Sequence, residues 1–257
     1  MINFPLLRTK RLTIQLRELT IGEAITIAAM PVSHEQAECT AFLRSAVQSV
    51  DGVADPADWT VQERALAVCH YLACTSDDGP DFSVGKGAYS DYLDAARDYP
   101  LESVELGEAA GDQWSIRHLT GRMAESVERL QGELKNAAGN PVPNRLHWLL
   151  GGMACQLTRR DETIPAESQE GAFDEWLLHR MQVFAAFPES DFARLMLMFA
   201  DGREQLAHLF RLEFSETGLV AMPVRAEKEG AEGEKITLPP ARFPCRACLS
   251  EVAKSMV

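Results

Sequence analysis

From Leu12 to Arg17 apolar and polar residues alternate, with Leu12, Ile14 and Leu16 set against Thr13, Gln15 and Arg17. That is the period of a half-buried strand. The period then lengthens: Ile21, Ala24, Ile25 and Ala28 recur at helical spacing behind Thr20 and Glu23. The hydroxyl and carboxylate of that pair make a capping-box pattern, and Pro31 stops the run. Ser33 and Gln36 repeat the pattern before a second helix carrying Ala37, Thr40, Ala41, Leu43 and Val47. DGVADPAD, residues 51–58, is turn chemistry. Thr60 and Glu63 form a third capping box ahead of VQERALAVCHYLAC, a mostly buried helix that TSDDGPD ends.

The middle of the chain reads mainly as helix. A short helix is expected over SDYLDAARDYP, and a long amphipathic one, after a short extended piece, with Leu119, Met123, Val127, Leu130 and Leu134 on one stripe. HWLLGGMACQL reads as a buried helix, and two more apolar helices span 173–187 and 191–208, split by Pro188. Beyond Leu209 the period shortens again. LFRLEF and LVAMPV alternate like strands about SETG, where Gly218 suits a turn needing positive φ. KITLP adds a short strand, and the charged segment Ala226–Lys235 reads as a mobile loop.

A lone hairpin is marginal in water. The N-terminal strand is therefore expected to pair with the C-terminal hairpin in a small antiparallel sheet capped by the helical middle. The fold class is α+β, helix-dominated. The expected organisation is a strand with two helices over 1–50, a helical body over 51–208, and a hairpin with a Cys-bearing tail over 209–257.

Composition narrows the classes. The 257 residues are 46% hydrophobic and 25% charged, ordinary for a globular protein, with a net charge of −13. So acidic a body repels nucleic acid, and no direct nucleic-acid partner is expected. No apolar run approaches the ~20 residues of a membrane span. MINFPLLRTKRL lacks a signal-peptide core, and six cysteines are too sparse for a disulfide scaffold, so folding in a reducing cytosol is expected.

The sharpest chemical feature is Cys245-Arg246-Ala247-Cys248, preceded by Phe243-Pro244. Two residues between cysteines let both thiolates turn onto one ion or cluster. A closed site needs four ligands, and Cys69 and Cys74 are the expected partners, with His70 as a substitute. Zinc is the default ion; an iron–sulfur cluster is the sharper alternative. Cys39 and Cys155 read as small buried hydrophobes, and the same bland reading competes at the other four.

Catalytic signatures do not emerge. The six histidines form no HExxH, no serine sits in a GxSxG elbow, and SVGKG lacks the setting and ending of a phosphate loop. Asp77, Asp78 and Asp81 lack calcium-loop spacing and read as a solvated turn. A non-enzymatic role is expected.

Two stretches, RLTIQLRELTIGEAITIAAMP with EQAECTAFLRSAV, and WTVQERALAVCHYLAC with GPDFSVG and YSDYL, resemble tail or baseplate proteins of tailed bacteriophages and Mu-like prophages. They cover roughly the first third of the chain. The resemblance implies a structural subunit of the virion, assembled in the host cytoplasm and repeated around the tail axis near the hub. Its partners would be other tail or baseplate proteins and the tape measure protein. Some tail-tip proteins of lambda-like phages carry an iron–sulfur cluster in a Cys-containing C-terminal domain. This chain departs from that pattern, with only two cysteines there. A soluble tail-assembly chaperone binding the tape measure protein is the alternative.

Overall fold

The structure, a computed structural model, describes residues 2–99, 101–160, 162–229 and 235–257. Helix makes up 43% and strand 21%, an α+β mixture as the periodicities predict, with several small antiparallel sheets. The chain divides into two compact units. Unit 1 comprises Met1–Tyr99, His208–Glu213 and Leu219–Val257; unit 2 comprises Pro100–Ala207 and Phe214–Gly218. Residues 51–99 thus go with the first unit and 101–207 with the second.

Unit 1 opens with β1 (Leu7–Arg8), β2 (Thr13–Leu16), α1 (Ile21–Ala28), α2 (Glu35–Ala46), β3 (Val47–Asp51) and α3 (Val61–Thr75). Leu12, Ile14 and Leu16 are each 1% exposed, so the alternation does put one face of β2 in the core. The pairing differs from expectation. β2 lies between β1 and β3 in an antiparallel sheet, with Ile14 opposite Val50, and the C-terminal hairpin pairs separately. Val47 begins β3 where the helical pattern had absorbed it. A partner some thirty residues away closes a far shorter loop than one beyond residue 209, at lower entropic cost. Gly52, at φ +109°, lets the chain leave β3; a Cβ there would stand 2.1 Å from the Arg11 carbonyl oxygen.

Capping follows the sequence at two of three helices. Thr20 with Glu23, and Thr60 with Glu63, each form both halves of a capping box. At α2 the Ser33–Gln36 expectation fails: His34 is the N-cap, and it makes no side-chain capping bond. Two-residue strands β4 (Ser83–Val84) and β5 (Gly87–Ala88) follow α3, and a single 3-10 turn, Tyr89–Asp91, replaces the helix expected over SDYLDAARDYP.

Unit 2 carries β6 (Ser103–Ala109), β7 (Asp112–Arg117), α4 (Gly121–Arg129), α5 (Asn144–Gln156), β8 (Leu157–Arg159), α6 (Glu170–Ala185) and α7 (Glu189–Leu206). β6, β7 and β8 form an antiparallel sheet in that order. α4 is shorter than the Leu119–Leu134 stripe, yet Leu119, Leu130 and Leu134 are all buried, so the apolar signal reports burial beyond the helix ends. Gly202 lets α7 lie close on this sheet, since a Cβ would meet Ile116 and Leu106 at 2.7 Å.

The chain then forms the hairpin β9 (Arg211–Ser215) and β10 (Gly218–Met222), with Gly218 at φ +100° as a turn glycine. A second hairpin joins β11 (Glu227–Glu229) to β12 (Lys235–Thr237). Of the loop expected to be mobile, residues 230–234 lie outside the described residues. A 3-10 turn, Cys245–Cys248, and α8 (Glu251–Ser255) complete unit 1. Among the described residues, no helix is long and apolar enough to cross a membrane.

Candidate metal centre

The C-terminal turn is built for a fixed position. A 3-10 helix has three residues per turn, so side chains three apart stand over one another. Cys245 and Cys248 are therefore on one side of the turn, and Pro244 leads into it as the N-cap. Between them Arg246 reaches back to the N-terminal half. Its Nε lies 3.1 and 3.3 Å from the two carboxylate oxygens of Glu38, and it also donates to the Met30 carbonyl at 2.8 Å. Glu38 is 3% exposed, and Cys245 and Ala253 beyond it are buried. Ser250 caps α8 through the Ala253 amide at 3.2 Å. The turn thus packs on both α2 and α3.

Those two helices bring two further thiols. Cys39 shares the inward side of α2 with Phe42, Leu43 and Ala46, all fully buried. Its thiol and that of Cys245 share a hydrogen bond, which, with burial and the nearby Glu38, pushes Cys245 well above the ordinary thiol range. Cys69 is fully buried on α3 and packs toward Phe82, Tyr92 and Phe210. Burial pushes its thiol well up, and the charges that Cys248 and Cys39 would carry add to this. Cys248 donates to the Val68 carbonyl at 3.8 Å. Burial and Cys39 raise it, and Lys254 offsets part of that.

The sequence expects Cys69 and Cys74 to join Cys245 and Cys248; Cys39, Cys74 and Cys248 pack against the core cluster that holds Cys245, whereas Cys69 belongs to the neighbouring cluster of Phe82, Tyr92 and Phe210. Five residues along a helix is a rotation of about 140°, which turns Cys74 away from the direction of Cys69. Its thiol is raised by burial alone. His70, the substitute ligand, instead sets Nε2 2.7 Å from the Pro5 carbonyl. Cys155 is buried in unit 2, its Sγ 3.9 Å from the Met123 carbonyl, as a packed thiol would be. Cys39, read from the sequence as a small buried hydrophobe, is partly buried and packs against the core cluster of Phe42, Leu43 and Ala46.

Arg64, 2% exposed, lines a cavity of about 50 Å³ together with Cys39, Cys245 and Phe243. Its Nη2 donates to the Gln36 carbonyl at 2.6 Å. Thiols raised by burial are protonated at neutral pH and are poor nucleophiles. In this protonated, hydrogen-bonded packing, no three His, Cys, Asp or Glu side chains among the described residues are drawn together tightly enough to hold an ion. The arrangement is a gathering of thiols around a preformed turn.

Comparison with known proteins adds no assignment: no family model, no curated protein and no solved structure matches the chain.

Proposed function

We propose that this chain is a structural component of a bacteriophage tail or baseplate, in the tail-tip or hub region, working by packing against neighbours rather than by catalysis. The observation that carries the reading is the fate of the two stretches resembling tail proteins. They supply β2, α1, α2 and α3, whose buried side chains gather with those of the C-terminal turn in one core cluster. The buried thiols of Cys69 and Cys245, pushed well above the ordinary thiol range, suit a framework better than a nucleophile. In this reading the partners are copies of the chain around the tail axis, other baseplate proteins and the tape measure protein.

The test is mass spectrometry of purified particles alongside the infected cytosol. Several copies per particle are expected. Presence in the cytosol with depletion from finished particles would replace this reading with that of an assembly chaperone bound to the tape measure protein. Absence from both would remove the phage assignment.

A further inference from the structure

We propose that a cavity in unit 2 binds a small aromatic ammonium ion, its ring against Trp176 and Phe187 and its ammonium on Asp191. The inference stands on unit 2 alone and is independent of the tail reading. The cavity measures about 340 Å³, within the range of small-molecule sites and enough for one ring system with a short side chain. Its walls come from the β6–β7 turn at Ala110, the end of β8 at Arg159, α6, and the α6–α7 corner at Phe187 and Pro188. Trp114 and Phe184 are buried, whereas Trp176 and Phe187 are half-buried and leave ring surface open. The rings form a continuous wall: Phe184 has its centroid 5.9 Å from that of Trp114 and 5.6 Å from that of Phe187.

The charged groups decide the sign of the ligand. Among the described lining residues, the carboxylates Asp112, Glu162 and Asp191 outnumber the guanidinium groups of Arg159 and Arg180. Both guanidinium groups are engaged. Arg180 is ion-paired with Glu162 and donates to the Leu157 carbonyl at 3.0 Å. Arg159 lies 3.4 Å from Asp112 and 3.5 Å from Glu162. Asp191, in the first turn of α7, has no ion pair or side-chain hydrogen bond among the described residues. An anionic ligand would be repelled by that carboxylate, and a neutral one would leave it unpaired. An ammonium would meet it in a charge-assisted hydrogen bond, and the ring faces favour the same positive end. The net charge of −13 adds a long-range attraction for cations.

The experiment is isothermal titration of the full chain with phenethylammonium, beside phenylacetate as a ring of opposite charge. Saturable binding of the ammonium at one site is expected, with phenylacetate much weaker. Asp191→Asn should weaken it about tenfold or more, and Trp176→Ala about three- to tenfold. Asp77→Asn, an exposed position in unit 1 with the same change of charge, should leave it unchanged. Circular dichroism checks that each variant is folded. Absence of saturable ammonium binding would overturn the proposal, as would equal affinity for phenylacetate. So would unchanged affinity in folded Asp191→Asn and Trp176→Ala, which would place the ammonium elsewhere on the acidic surface.

Discussion

Arg246 and Glu38 stand at opposite ends of the chain, yet the Nε of the first lies 3.1 Å from a carboxylate oxygen of the second. Burial pushes the Glu38 carboxyl up and Arg246 draws it back down, so the pair opposes a desolvation cost. Removing the cation leaves a nearly fully buried acid without that compensation. Arg246→Ala should cost about 2–3 kcal/mol, the low side for a broken buried pair because Arg246 is itself 27% exposed. Urea unfolding checks this. Arg246→Ala with Glu38→Gln should recover part of the loss, and a strictly additive double variant would contradict the coupling.

The capping box of α1 should be visible in acid. The Arg17 hydrogen bonds, and then the Thr20 amide, hold the Glu23 carboxyl at about 2, below its ordinary 4.5. A carboxyl depressed in the folded state contributes stability that is present above about 4.5 and is lost as pH falls toward about 2. Glu23→Gln should flatten the stability curve in that window, and Thr20→Ala should cost about 1 kcal/mol at neutral pH. Parallel acid curves for wild type and Glu23→Gln would contradict the assignment.

In unit 2, Arg180 is 6% exposed, ion-paired with the buried Glu162, and donates to the Leu157 carbonyl at 3.0 Å. Its guanidinium carbon lies 5.7 Å from the Trp114 ring centroid and 5.1 Å from that of Trp176. Arg180→Ala removes the pair, the ring contacts and the packing, and should lower stability by about 3–5 kcal/mol. Arg180→Met with Glu162→Gln, which keeps volume without a stranded charge, should recover much of it. Thermal melts of the three proteins decide the point.

Gly152 and Phe214 make the sharpest steric prediction. A Cβ on Gly152 would stand 2.1 Å from the Phe214 Cζ, so the ring or α5 must move. Gly152→Ala should cost about 1–3 kcal/mol, and Phe214→Leu in that background should return part of it. A neutral Gly152→Ala in urea titration would show that the ring yields freely.

Local features were the readable ones. The β2 alternation and the Thr20 and Thr60 boxes depend on residues within a turn of one another, and they appear as expected. Pairing was less readable. VQSVD is five residues joined directly to a helix, so its strand character vanished into the helical pattern before it. The thiols were legible only in part: the spacing puts Cys245 and Cys248 on one short turn, while the helix residues that pack beside that turn are set by tertiary packing around Phe42, Leu43 and Tyr71.

The proposed structural role is tested most directly by counting the chain in purified particles by mass spectrometry, beside the infected cytosol. The account predicts several copies in each particle. Depletion from finished particles, with the chain left in the cytosol, would contradict it.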